Sequence, residues 1–158
     1  MNIFVLDRDP EIAAQMLCDK HVVKMALETA QILSTINGGP YKPTHENHPC
    51  VKWAEKSLSN YKWLALHGIG ICNEYTYRHD RTHQCEEVIY CLSTPLVLTE
   101  EIPELGLTDF VQCMPDIHKT SDPVQAYRNY YKSKSSFAKW SKRETPTWWL
   151  ETESAEHV

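Results

Sequence analysis

The chain has 158 residues, 42% of them hydrophobic, and a formal net charge of −5. That length supports one domain with a single sizeable core, and no run of roughly 18 apolar residues offers a membrane span. The opening Met1-Asn2-Ile3-Phe4-Val5-Leu6-Asp7 has no basic leader, so a cytoplasmic location is expected, with the six cysteines as free thiols.

Only Ile3 to Leu6 reads as a strand. Asp9-Pro10-Glu11 then opens a helix, with Asp at the N-cap, Pro at the first position and an acid in the first turn. That helix is expected to run to about Ile36, where Asn37-Gly38-Gly39-Pro40 stops it. A polar loop, Tyr41 to Asn47, leads to a second helix from Pro49 to roughly Arg78. Gly68 and Gly70 weaken this helix and mark a place for a bend. A third helix fits Thr82 to Leu92, and Pro95 to Pro115 reads as loop. Asp122-Pro123 repeats the start signal and opens a helix through about Trp140. Pro146-Thr147-Trp148-Trp149 follows, then an acidic end. The expectation is an all-α fold, a single compact domain of about four helices with long loops over residues 1–150, and a disordered acidic tail over 151–158.

Asp19-Lys20-His21-Val22-Val23-Lys24-Met25-Ala26-Leu27-Glu28 carries the densest chemistry. His21, Lys24 and Glu28 recur at i, i+3 and i+7, which stacks them on one helical stripe. A solvated face with a Lys24–Glu28 ion pair is one reading. The other is a catalytic face, since Leu17, Val22, Val23, Met25, Leu27, Ile32 and Leu33 make the helix apolar nearly all round. Base, cation and carboxylate are then held where pairing tunes their pKa values.

Elsewhere the candidates are weaker. His45 and His48, ahead of a helix start, suit an anion such as phosphate, or His48 simply caps the helix. His45, His48 and Cys50 together with Cys18 and His21 include enough soft ligands for zinc, but nothing in the sequence makes the two segments neighbours, and no metal is expected. No Walker loop or dinucleotide glycine pattern is present, so no cofactor is expected either. Asn60, His67, Glu74 and Arg78 share a face, read as a pocket position for Asn60 and a core–solvent edge for Glu74 and Arg78.

Net charge argues against nucleic acid, but its distribution does not. Lys119 to Arg143 holds seven Lys and Arg against one acid, interleaved with Tyr127, Tyr130, Tyr131, Phe137 and Trp140. Such a segment suits phosphate contacts and base stacking, or it is an amphipathic helix with a basic outer face. Arg128, Lys132 and Lys139 are the candidates for a phosphate track. Trp148 and Trp149 either stack on a base or cap the core.

With Asp19-Lys20-His21 and Glu28, the long aromatic second helix (Tyr61-Lys62-Trp63-Leu64, Glu74-Tyr75) and Pro146-Thr147-Trp148, the chain resembles the phage pyrimidine-dimer DNA glycosylases of the endonuclease V type. That family carries Asp-Gln-His and, seven residues after the His, a catalytic Glu. The resemblance implies an endonuclease V-like fold and a glycosylase/AP-lyase. Its N-terminal α-amine, here that of Met1, attacks the sugar, and a Schiff base precedes strand cleavage. It gives Glu28 the role of stabilising charge and moving protons, with His21 and Lys24 as its neighbours. The implied partner is double-stranded DNA with a base flipped out, contacted by Lys20, His45, His48, Asn60, Arg128, Lys132 and Trp148, in the host cytoplasm if the chain is phage-encoded. The chain departs in three ways: Asn2 is bulky enough that Met1 is expected to stay, Lys20 and Lys24 stand where the family's first helix offers arginines for DNA, and the chain is acidic. Two other functions stay open: a transferase that attaches an amino acid or polyamine to an activated thymine derivative in phage DNA, and a non-enzymatic binding module for nucleic acid or protein.

Overall fold

A computed structural model describes residues 1–94 and 102–156. Seven α-helices occur among the described residues, in order: α1 (Pro10–Gln15), α2 (Asp19–Asn37), α3 (Pro49–Lys56), α4 (Leu58–His79), α5 (Glu86–Leu92), α6 (Pro123–Tyr131) and α7 (Thr147–Glu156). No strand occurs among the described residues. Helix α4 is the hub and packs against α1, α2, α3 and α5. Leu17, Ile32, Leu33, Tyr61, Leu64 and Ile71 are fully buried at its contacts, and Tyr127 and Tyr131 of α6 complete the core.

The expected first helix is in fact two. It breaks at Met16–Cys18, with Cys18 in extended backbone as the N-cap of α2. Local propensity gives no reason for the break; distant side chains hold it open. The Gln15 and Leu17 carbonyls accept from the Arg78 guanidinium at 3.0 and 2.8 Å, and the Met16 carbonyl accepts from Trp140 Nε1 at 2.9 Å. The Cys18 amide donates to the Tyr131 hydroxyl at 2.9 Å. Backbone groups that a continuous helix would have paired are therefore satisfied by tertiary partners.

The expected second helix is also two. Ser57, at φ −147° and ψ 144°, separates α3 from α4. Its hydroxyl donates to the Gly106 carbonyl at 2.7 Å, and the Leu58 amide donates to the Pro103 carbonyl at 2.9 Å. The break thus docks the 102–110 segment. Beyond it α4 continues unbroken through Gly68 and Gly70, which serve close packing. A Cβ at Gly68 would stand 2.8 Å from Thr29 Cγ2 of α2, and one at Gly70 would stand 3.1 Å from Ala14 Cβ of α1. Glycine lets three helices approach where any side chain would hold them apart.

Further corrections follow the same logic. Helix α5 begins at Glu86 instead of Thr82, because buried His83 accepts from the Cys85 amide and contacts the Val23 carbonyl of α2. Helix α6 ends at Tyr131, with a 3₁₀ turn over Lys132–Lys134 in place of a helix to Trp140. Ile3 to Leu6 is buried but not a strand: Phe4 sits at φ 41°, in the left-handed region. Helix α7 continues through 151–156, where the acidic tail begins. Of the expected loop from Pro95 to Pro115, residues 95–101 lie outside the described residues, and 102–115 contain no α-helix. No helix among the described residues is long and apolar enough to cross a membrane.

Candidate active site

The stripe on α2 faces the chain's own N-terminus. The Met1 α-amine lies 3.3 Å from Glu28 Oε1, and the same oxygen accepts the Asn2 amide at 3.0 Å. Glu28 is 8% exposed. Its second oxygen, Oε2, is buried with no hydrogen-bond partner, and Lys24 Nζ stands off at 3.9 Å on a side chain 63% exposed. The carboxylate is therefore half used: one oxygen is spent on the amine and an amide, and the other is available.

What aims the amine at Glu28 is a turn over the first four residues. The Asn2 side-chain carbonyl accepts from the Ile3 and Phe4 amides at 2.7 and 3.1 Å, and its Nδ2 donates to the Cys113 carbonyl at 2.8 Å. Phe4 adopts positive φ, a conformation rare for an aromatic residue, and is held there by ring packing. It stacks on His21 at 4.6 Å and on Tyr130 at 6.0 Å, and meets Tyr131 edge-on at 5.5 Å. Such a conformation persists only where its surroundings over-determine it.

Around this turn lies a cleft of about 310 Å³. Met1, Asn2, Phe4 and Met25 line it beside His21, Lys24 and Glu28, and Lys20, Tyr130, Lys134 and Phe137 form its rim. Lys20 Nζ sits 4.5 Å from the centre of the Phe137 ring, and Lys134 Nζ sits 4.2 Å from that of Tyr130. Cations over aromatic faces make a surface suited to phosphate and base together. Burial, and then the charges of Lys134, Lys24 and Lys20, push the His21 imidazole down to about 4. Its Nδ1 is 2.8 Å from the Tyr131 hydroxyl. His21 is thus a neutral, fixed ring at physiological pH and not a cation.

Of the candidates read in the sequence, the cleft gathers Met1, Lys20, His21, Lys24 and Glu28, together with Tyr130 and Phe137 of the basic, aromatic segment. The others lie elsewhere. Arg128 donates to the Leu6 carbonyl at 2.9 Å, lies 3.5 Å from Asp7 and covers the Trp148 ring at 5.6 Å, so it anchors the N-terminal segment. Trp148 is buried with Trp149 around Tyr131. Asn60 is fully buried and holds Trp53 and Thr108 through three hydrogen bonds. His45 is exposed, at φ 51°, against Thr44. His48 accepts from the Cys50 amide at 3.1 Å and caps α3. Lys132 does not line the cleft, and the Lys139 carbonyl receives the Asp19 amide at 2.8 Å.

Glu74 and Arg78, expected at a solvent edge, are buried. Arg78 joins Glu74 at 2.9 Å and Asp19 at 3.0 Å, and Arg143 closes on both Glu74 oxygens at 2.9 Å. Burial raises the Asp19 carboxyl, but hydrogen bonds from Ser141 and Arg78 outweigh it and hold the group below the usual carboxylate range. Asn2, Phe4 and Lys134 were not foreseen. For Lys134, its place among aromatics in the basic segment was the available signal; for Asn2 and Phe4 there was none.

The family model described as pyrimidine dimer DNA glycosylase matches residues 1–87, more than half of the 158. That span contains the N-terminal turn, Lys20, His21, Lys24 and Glu28. Comparisons with curated proteins and with solved structures return no match. The chain belongs to the pyrimidine dimer DNA glycosylase family, in general terms a DNA glycosylase whose substrate is DNA.

Proposed function

We propose that the cleft excises a damaged pyrimidine from double-stranded DNA and then cleaves the strand, with the Met1 amine as nucleophile and Glu28 as its acid–base partner. The neutral amine attacks C1′ and the glycosidic bond breaks, its electron pair leaving with the base. The sugar ring opens to an iminium joining C1′ to the Met1 nitrogen. Loss of a C2′ proton then expels the 3′ phosphate, and hydrolysis of the imine returns the amine.

The observation that carries this reading is the 3.3 Å contact between the amine and Glu28 Oε1. It puts nucleophile and base within reach before any DNA arrives. Glu28 Oε2, buried and without a hydrogen bond, is the oxygen free to face positive charge growing at the sugar or to receive the C2′ proton. Lys20, Lys24 and Lys134 supply phosphate contacts, and Tyr130 and Phe137 supply faces for an unstacked base.

Borohydride reduction tests this by fixing the imine as a covalent adduct. On duplexes carrying a thymine dimer or an abasic site, the unmodified chain is expected to give an adduct. Acetylation of the α-amine is expected to abolish it. No adduct on either duplex, with binding intact by gel shift, overturns the amine mechanism.

A further inference from the structure

Behind the N-terminal turn lies a second cluster of reactive groups that the glycosylase chemistry does not use. His48 and Cys50 come from the start of α3, and Cys113 comes from the segment ahead of α6, 63 residues further on. One donor atom from each lies within 4.8 Å of the other two. Cys50 is buried and the other two are half-buried. The two sulfurs stand 3.1 Å apart.

From this convergence of two thiols and an imidazole we infer that His48, Cys50 and Cys113 form a binding site for a thiophilic divalent cation, zinc by preference. The donor chemistry selects the ion. Two thiolates with one imidazole are a soft set that suits zinc and disfavours magnesium or calcium. With Zn–S bonds of about 2.3 Å, tetrahedral geometry places two sulfurs about 3.8 Å apart. The pair therefore opens by roughly 0.7 Å on loading, within the reach of side-chain torsions. Three protein ligands leave the fourth position to solvent.

Loading has local consequences. The thiols give up their protons as the ion binds. If the ion binds through His48 Nδ1, it takes the lone pair that now receives the Cys50 amide, so that cap and cation compete for one nitrogen. The ion also ties the 102–115 segment to the start of α3. Because the Cys113 carbonyl receives Asn2 Nδ2 at 2.8 Å, that tie fixes the turn that presents the Met1 amine. Cys18 and His21, the other donors considered from sequence, are not in this cluster: Cys18 Sγ accepts from the Tyr131 hydroxyl, and His21 lies under Phe4.

The test is metal content and cobalt spectroscopy on the full chain purified with a phosphine reductant and no chelator. About one zinc per chain is expected. After exchange, cobalt is expected to give thiolate charge-transfer absorption in the near ultraviolet and the d–d bands of tetrahedral coordination. C50S and C113S should each lose the charge-transfer band or halve it, whereas C91S, which alters an exposed thiol outside the cluster, keeps it. Thermal unfolding of the unsubstituted chain should rise with added zinc and fall back with a chelator, a readout independent of variant folding. Absence of both bound zinc and a cobalt–thiolate band overturns the site. So does a mass two units low without reductant, with Cys50 and Cys113 joined in one peptide, since the pair is then a disulfide.

Discussion

Two glutamates are buried among the described residues, each beside a cation, and they differ in how completely they are used. Glu74 accepts from Arg78 and twice from Arg143, all at 2.9 Å, and Arg78 spends its remaining reach on Asp19 and on the Gln15 and Leu17 carbonyls. Every oxygen of Glu74 is matched. Glu28 has one oxygen on the amine and the Asn2 amide and another with no hydrogen bond, and its nearby lysine is largely solvated. A saturated buried carboxylate holds helices together. An unsaturated one stays in a folded protein when its missing partner is a substrate or transition state. Both residues lie on helix faces that look alike in sequence, so side-chain type alone does not separate scaffold from site; the count of partners does.

Changing each glutamate system in turn should separate the two roles. Glu28→Gln keeps shape and the Asn2 contact but removes the charge. Strand cleavage in single turnover is expected to fall by about 10²–10⁴-fold, the range lost with a positioned acid–base group. The unfolding free energy in urea should fall by about 1–2 kcal/mol, because the Met1 amine loses its counter-charge while the glutamine oxygen still accepts from it and from the Asn2 amide. Retained turnover would remove Glu28 from the chemistry.

Arg78→Met should do the reverse. It strips a buried guanidinium from Glu74 and Asp19 and orphans two carbonyls at the break between α1 and α2. The expected loss is about 3–5 kcal/mol in urea unfolding, the range found when one member of a buried ionic network is removed. Cleavage per folded molecule should stay within a few-fold. A stable variant with poor cleavage would mean that the Glu74 network shapes the cleft as well as the core.

Local signals in the sequence carried the stripe and little of its surroundings. His21, Lys24 and Glu28 are legible because helical periodicity acts over seven residues, and Asp9, Pro10, Asp122 and Pro123 are legible because caps are local. The interruptions at Met16–Cys18 and Ser57 are not, since Arg78, Trp140, Pro103 and Gly106 hold them from far along the chain. The all-α class survives these errors, because a broken helix still buries the same face. The Asn2–Phe4 turn had no sequence signal, as it needs the Phe4 ring to find His21 and the Asn2 amide to find Cys113. Cys113 itself sits in a loop with no spacing that pairs it with Cys50.

The finest comparison is between two histidines. His21 in the cleft and His67 behind Trp63 are both pushed down to about 4, each chiefly by burial. For both, the unfolded imidazole binds a proton near pH 6.5 and the folded one does not until about pH 4. The unfolded state holds more protons across that window, so folding stability is full above 6.5, declines as pH falls through the window, and loses no more below it. Each contributes up to about 3 kcal/mol of that decline. The two part company in salt. Lys134, Lys24 and Lys20 add repulsion at His21, whereas His67 has no such charges and is contacted by the Pro10 carbonyl at 2.9 Å. Raising ionic strength screens the lysines and leaves burial untouched. In NMR titrations of the two ring protons, the His21 midpoint is expected to climb toward neutrality with salt while that of His67 stays fixed. Bound phosphodiester should act as salt does, because it neutralises the same lysines. Equal salt shifts at both rings would show that the lysines do not act on His21 and would weaken the case that this rim receives phosphate.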